Sequence, residues 1–243
     1  MGFKHRKTFI YQLERHDKRY WMKFCGENKR NPFNRLFNRL ITLSEKSQNW
    51  QLHSGFDTKT RFSLEQSHLI EAAKRSLPVP RVVMQGRGLF VTECAGQPLT
   101  ESHAVSPKQR LTKAMRGLIA FHQQDMIHGR PAMRDILIND AGQVTYIDFE
   151  ESRFSACQTL RTRDVLLLLL DSYRLERVSQ ATRLALLTEW QQQVGQGSAQ
   201  SLAVVARFLT YNRWIAKLVL TFKSNRLSRQ LLLLERLLSR ALR

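Results

Sequence analysis

The sequence changes character at Glu93-Cys94-Ala95-Gly96-Gln97-Pro98, and this change limits the possible folds most. Before it, apolar residues come in short bursts. Thr8 to Leu13 and Tyr20 to Phe24 flank the polar turn Arg15-His16-Asp17-Lys18-Arg19, and Arg81 to Met84 and Leu89 to Thr92 flank Gly86-Arg87-Gly88. Two such pairs read as β-hairpins. One helix lies between them, beginning near Ser63 with Leu64, His68, Leu69, Ala72 and Ala73 as its apolar stripe and ending before Pro78 and Pro80. After the Gly/Pro segment, helical spacing dominates. Pro107 opens a helix through Leu111, Met115, Leu118 and Phe121, and a single hairpin (136 to 138 and 144 to 147, joined by Asn139-Asp140-Ala141-Gly142) precedes helix from Asp164 onward, broken at the Gly/Ser/Gln-rich Val194 to Ser201. The expected class is α+β, with a small strand-rich lobe over residues 1–95 and a helical lobe over 96–243.

Composition supports a packed core rather than a disordered chain: 42% of residues are apolar despite a net charge of +19. The longest apolar stretches are too short or too interrupted to span a bilayer. Val165 to Leu170 is bounded by Asp164 and Asp171, and Leu202 to Phe222 contains Arg207, Arg213 and Lys217. The basic N-terminus runs into Thr8 to Glu14, which is not a signal-peptide apolar region, and Cys25, Cys94 and Cys157 form neither a disulfide framework nor a zinc motif. A cytoplasmic protein is expected. The polar, Asn-rich segment from Gly26 to about Arg61 reads as a mobile or partly helical insertion.

The densest group of chemically active residues is Ile127-His128-Gly129-Arg130-Pro131-Ala132-Met133-Arg134-Asp135, followed thirteen residues beyond Asp135 by Asp148 in Tyr146-Ile147-Asp148-Phe149-Glu150-Glu151. The intervening hairpin brings Asp135 and Asp148 together at its open end, where two carboxylates can share a hard divalent cation. Equally, two acids beside turns can simply cap them. The remaining histidines, His5, His16, His53, His68, His103 and His122, show no metal-ligand spacing, and Ser102, Ser106 and Ser155 lack a nucleophile-elbow context.

Residues 8 to 175 resemble the protein-kinase-like superfamily, in particular small atypical members related to the RIO kinases, the KEOPS-complex kinase and the lipopolysaccharide (Kdo) kinases. In that resemblance His128 matches the catalytic-loop histidine, Asp135 falls on the metal-binding Asn, and Asp148-Phe149 falls on the Asp-Phe of the metal-binding motif, with Glu150 replacing its glycine. Lys23 matches the phosphate-binding lysine and Glu65 its helix partner, while Glu93 and Cys94 fall at the hinge that receives adenine. The implied cofactors are ATP with Mg²⁺ or Mn²⁺, and the implied acceptor is a protein Ser/Thr or, alternatively, a lipopolysaccharide sugar hydroxyl.

Two departures from the family pattern carry consequences. Arg130 stands where the family has its catalytic Asp, and a guanidinium cannot serve as a base at neutral pH. It can either stabilise transferred charge or pair with Asp148 or Glu150 and lock the loop, the second outcome being that of a pseudokinase. No glycine-rich loop is present, so fewer backbone N–H groups approach the phosphates.

The positive charge is concentrated at the ends: residues 1 to 39 carry eleven Lys/Arg against three acids, and residues 207 to 243 carry nine against Glu235. An anionic partner is expected: ATP, a glycolipid or anionic membrane surface at the inner face, or nucleic acid. The C-terminal helix, with Leu231, Leu234 and Leu238 beside Arg229, Arg236 and Arg240, is expected to close the helical lobe, with a membrane-surface role as the alternative.

Overall fold

The computed structural model describes residues 9–26, 58–102, 105–222 and 224–242. The expected insertion, apart from its two ends, lies outside these residues, as do His5, His53 and His103. Strands β1 (Ile10–Arg15) and β2 (Lys18–Phe24) form the first hairpin, turning through His16 and Asp17 at φ 50 and 58. Both turn residues are left-handed, which matches the twist of a two-residue hairpin. Helix α1 (Thr58–Lys74) follows, then β3 (Val82–Gly86) and β4 (Leu89–Glu93). The four strands make an antiparallel sheet in the order β1-β2-β4-β3. Helix α1 starts five residues before the expected Ser63, which puts Phe62 inside it. Phe62 packs on Phe90 of β4, ring centroids 5.2 Å apart, a tertiary contact that favours helix at this position.

Gly96 crosses between the two units at φ +122, and a side chain there would run into the Ile138 carbonyl. This close approach lets β5 (Gln97–Pro98) pair with β7 (Ile136–Ile138), which in turn pairs with β8 (Val144–Tyr146). Helix α2 (Pro107–Gln123) opens on a reciprocal cap: Ser106 Oγ accepts the Gln109 N–H and Gln109 Oε1 accepts the Ser106 N–H. Two-residue strands β6 (Met126–Ile127) and β9 (Arg153–Phe154) pair with each other and bracket the loops around the hairpin.

Helix α3 (Gln158–Ser172) begins six residues before the expected Asp164. The helix is broken where the Gly/Ser/Gln-rich segment predicts, between α4 (Gln180–Gln193) and α5 (Ala199–Tyr211), but it is also broken before α4 and between α5, α6 (Arg213–Phe222) and α7 (Arg226–Ala241), and Asn212 divides the stretch from Leu202 to Phe222 in two. Helix α7 buries Leu234, Leu237 and Leu238 against the preceding helices and leaves Arg229, Arg236 and Arg240 outside, so it closes the helical unit. A single core runs from Phe62, Leu69 and Phe90 through Phe121, Tyr146 and Phe149 to Trp190 and Leu237. The class is α+β, a strand-rich N-terminal unit followed by a helical one. Among the described residues, no helix is long and apolar enough to cross a membrane.

Candidate functional site

Lys23 sits on β2 opposite Phe90, and side chains of directly paired residues share a sheet face, so Lys23 points to the face that α1 covers. There its Nζ lies 2.6 Å from both carboxylate oxygens of Glu65, which α1 holds 3% exposed one turn from Phe62 and Leu69. Burial would lower the Lys23 pKa, but the charges of Glu65, Asp148 and Glu150 outweigh it and hold the ammonium above its ordinary value. Lys23 therefore stays protonated. Burial of Glu65 works to raise its own pKa, and Lys23 opposes this.

Across from this pair is the open end of the β7–β8 hairpin. The register Ile136↔Tyr146, extended by the hydrogen bond from the Ile147 N–H to the Asp135 carbonyl (2.9 Å), puts Asp148 one residue beyond the partner of Asp135. Asp148 is left-handed at φ 68, a conformation Asp tolerates better than most residues. Burial opposes its ionisation, but Arg130 and Lys23 together hold its carboxyl below the usual range. Asp135 behaves oppositely. Burial and the charge of Asp148 push its pKa up to about 6, and its Oδ2 is buried with no hydrogen-bond partner among the described residues.

Arg130 takes the Asp148 carboxylate: its Nη2 donates to Asp148 Oδ2 at 2.7 Å and to Glu150 Oε1 at 3.2 Å. Arg61 of α1 reaches Glu150 from the other side, 3.8 Å from Oε2. The loop residues, the hairpin and α1 thus share one charged network.

His128 lies away from that open face, fully buried among Phe149, Tyr146 and Phe121. Its Nε2 is 3.1 Å from the Ile147 carbonyl, which only accepts, so Nε2 carries the proton and Nδ1, which has no partner among the described residues, does not. Burial lowers its pKa, and the ring is neutral. Its position is that of a brace between the loop and the strand leading to Asp148.

The loop is clamped from α3 by residues that pattern reading had treated only as the edge of an apolar run. Asp164, fully buried, accepts the His128 N–H (2.7 Å) and the Gly129 N–H (3.0 and 3.2 Å). Arg163 donates to the Gly129 carbonyl and pairs with Glu151 at 3.7 Å. Gly129 is at φ +90, where a side chain would strike the Glu151 carbonyl. The signal for Asp164 was available: a charge inside a leucine-rich helix is rarely buried without partners.

Glu93 ends β4 and Cys94 follows it. The register Tyr20↔Glu93 and Lys23↔Phe90 places them three residues along the sheet from Lys23, or about 10 Å. Their backbone N–H groups are already engaged, Glu93 with the Arg81 carbonyl (3.0 Å) and Cys94 with the Arg19 carbonyl (2.9 Å). The Glu93 side chain pairs with Arg81 at 3.3 Å. The structure thus brings Lys23, Glu65, Arg130, Asp135 and Asp148 into one charged cluster, with His128 behind it and Glu93 and Cys94 at a distance.

No protein-family model matches the sequence. An uncharacterized protein of Haemophilus influenzae is 28% identical over 227 residues, covering 90% of this chain and 84% of that protein. Among solved structures, WbdD bound to a kinase inhibitor aligns over 99% of this chain at 14% identity and a TM-score of 0.49. A second structure, of the bifunctional kinase-methyltransferase WbdD, aligns over 78% at 13% identity and a TM-score of 0.43. The aligned residues make up 45% and 44% of those two chains, so this chain spans less than half of either structure.

Proposed function

We propose that the protein is an atypical member of the protein-kinase-like superfamily, an ATP-dependent phosphotransferase. The observation that carries this reading is the buried Lys23–Glu65 pair, whose ammonium lies near enough to Asp148 to depress that carboxylate. Such an arrangement suits binding of a polyphosphate: Glu65 fixes the direction of Lys23, and Lys23 presents a permanent positive charge to phosphate oxygens. Glu93 and Cys94 would offer their carbonyls to the base, since their N–H groups are engaged.

Asp135 and Asp148 fit a hard divalent cation. Both are oxygen donors, and the unpartnered buried Oδ2 of Asp135 lacks only a positive ligand. Mg²⁺ or Mn²⁺ held there would neutralise charge on the phosphate oxygens during transfer. Arg130 cannot abstract a proton, so its contribution is electrostatic, either on a phosphoryl oxygen or on Asp148. Phosphoryl transfer depends chiefly on positioning and charge, so activity does not require a base at this position. We assign the acceptor as a protein Ser/Thr hydroxyl, with a glycolipid sugar hydroxyl as the alternative.

One observation favours a second reading. Arg130 already binds both Asp148 and Glu150, which is the locked arrangement of a nucleotide-binding module without turnover. Mn²⁺-dependent ATP binding and phosphate transfer to protein and glycolipid fractions, measured in wild type, Lys23→Met and Asp148→Ala, separate the two. Transfer that is lost in both variants supports the enzyme. Transfer that survives Asp148→Ala removes the metal assignment, and ATP binding without transfer to either fraction selects the binding module.

A further inference from the structure

The basic C-terminal helix α7 uses its leucines inside the fold, so the exposed apolar surface of this part of the molecule lies elsewhere. It lies on α6 and the end of α5. Helix α6 has α5 and α7 as its principal packing partners and leaves Trp214 (59%), Ile215 and Leu218 open to solvent, with Tyr211 (79%) just before it. Trp214 and Leu218 are four residues apart and Ile215 is one step round, so the three form one stripe on the outer surface. Arg213 and Lys217, also four apart and exposed, run beside that stripe. From residue 190 to 234 the sequence contains no Asp or Glu and six Lys/Arg.

We infer that this face of α6 is a docking surface for an anionic phospholipid bilayer. A row of cations flanking a stripe of Trp, Ile and Leu is the layout of a helix lying in the plane of a membrane interface, with Trp and Tyr suited to the headgroup boundary. At ten residues the helix is too short to span and long enough to lie flat. Charge argues against the other occupants. A second copy would set the same Arg213 and Lys217 rows and two chains of +19 against each other. A nucleic acid would engage the cations but leave Ile215 and Leu218 uncovered, because its affinity comes from phosphates. The surface shares no residue with the Lys23–Asp148 cluster, so it stands or falls independently of phosphate transfer.

Cosedimentation of the full chain with phosphatidylcholine vesicles and with mixed phosphatidylcholine/phosphatidylglycerol vesicles tests this. The protein pellets with the mixed vesicles only, and salt near 1 M releases it. Each cation near the surface is worth about fivefold in affinity, so Arg213→Glu/Lys217→Glu weakens binding by at least about 25-fold. Brominated lipid quenches part of the tryptophan fluorescence of wild type, and Trp214→Phe, a change at an exposed position, abolishes that part. The proposal is overturned if wild type stays in the supernatant, if it binds neutral vesicles equally well, if Trp214→Phe leaves the quenching unchanged, or if Trp214 proves to be covered in a stable dimer without lipid.

Discussion

Arg130 Nη2 lies 2.7 Å from Asp148 Oδ2, so in the proposed reading the residue assigned to the loop position of a general base instead neutralises a carboxylate assigned to the metal. The ion pair is about a quarter exposed on each side, which weakens it relative to a buried pair. Removing it by Arg130→Ala frees Asp148 for a cation. Mn²⁺·ATP affinity, measured by calorimetry, rises by roughly three- to tenfold, the equivalent of one partly screened charge-assisted bond. An unchanged or weaker affinity would show that Arg130 contacts the nucleotide itself.

Asp164 gives the second prediction. Its two oxygens accept the backbone N–H groups of His128 and Gly129, and it lies 3.5 Å from His122 Nε2. Trp190 Nε1 can only donate, so its 2.9 Å bond makes His122 Nδ1 the acceptor and leaves the proton on Nε2, facing Asp164. Asp164→Asn replaces one acceptor by an NH₂ group aimed at an N–H donor, and should cost about 3 kcal/mol in urea denaturation. Trp190→Phe removes the outermost bond and also empties part of the core, because Trp190 is fully buried, so its cost includes a cavity as well as the bond. If Asp164→Asn costs less than about 1 kcal/mol, the loop is not anchored from α3.

The contrast between these residues and the hairpins shows what the sequence can convey. The turn at His16-Asp17, the helix start at Pro107 and the 136–146 hairpin are specified by chemistry within a few residues of themselves, and all were legible. Asp164 was only half legible: a charge inside a leucine-rich helix signals that it has partners, but those partners are backbone groups 35 and 36 residues away and carry no local mark. The short strands β5, β6 and β9 were missed for the same reason: each exists through a distant partner. Lys23 and Glu65, 42 residues apart, carry no local signal for each other, and only the family resemblance joined them. The C-terminal helix was legible as a closing element, but the exposed stripe on α6 was not, since nothing before the packing of α7 tells which leucines remain outside.

Asp135 makes stability depend on pH in a direction opposite to that of most carboxylates. Its folded pKa of about 6 lies above the unfolded value, so between roughly pH 4 and 6 the folded state binds more protons, and stability falls as pH rises through that window. Asp135→Asn removes the dependence. The variant should be more stable than wild type by roughly 2 kcal/mol at pH 7.5, with the difference vanishing near pH 4. Added Mn²⁺ should stabilise wild type at pH 7.5 and the variant less. A difference that persists at pH 4 would mean that the carboxyl is not neutral in the acid form of the fold.

Lys23→Met leaves Glu65 buried without its cation. The carboxyl then responds to burial alone, its pKa rises further, and the folded state must either bind a proton or bury an unpaired charge. Breaking a buried pair costs about 3–5 kcal/mol, and Lys23 is about a quarter exposed, so a loss nearer 2–3 kcal/mol is expected at pH 8. By the same sign argument as for Asp135, the loss shrinks as the pH falls, because protonation neutralises Glu65. The double variant Lys23→Met/Glu65→Leu removes both charges and should recover most of the stability at pH 8 without recovering nucleotide binding. This outcome separates the structural cost of the pair from the phosphate-holding role proposed for it. Recovery of binding in the double variant would mean that Lys23 does not touch the nucleotide.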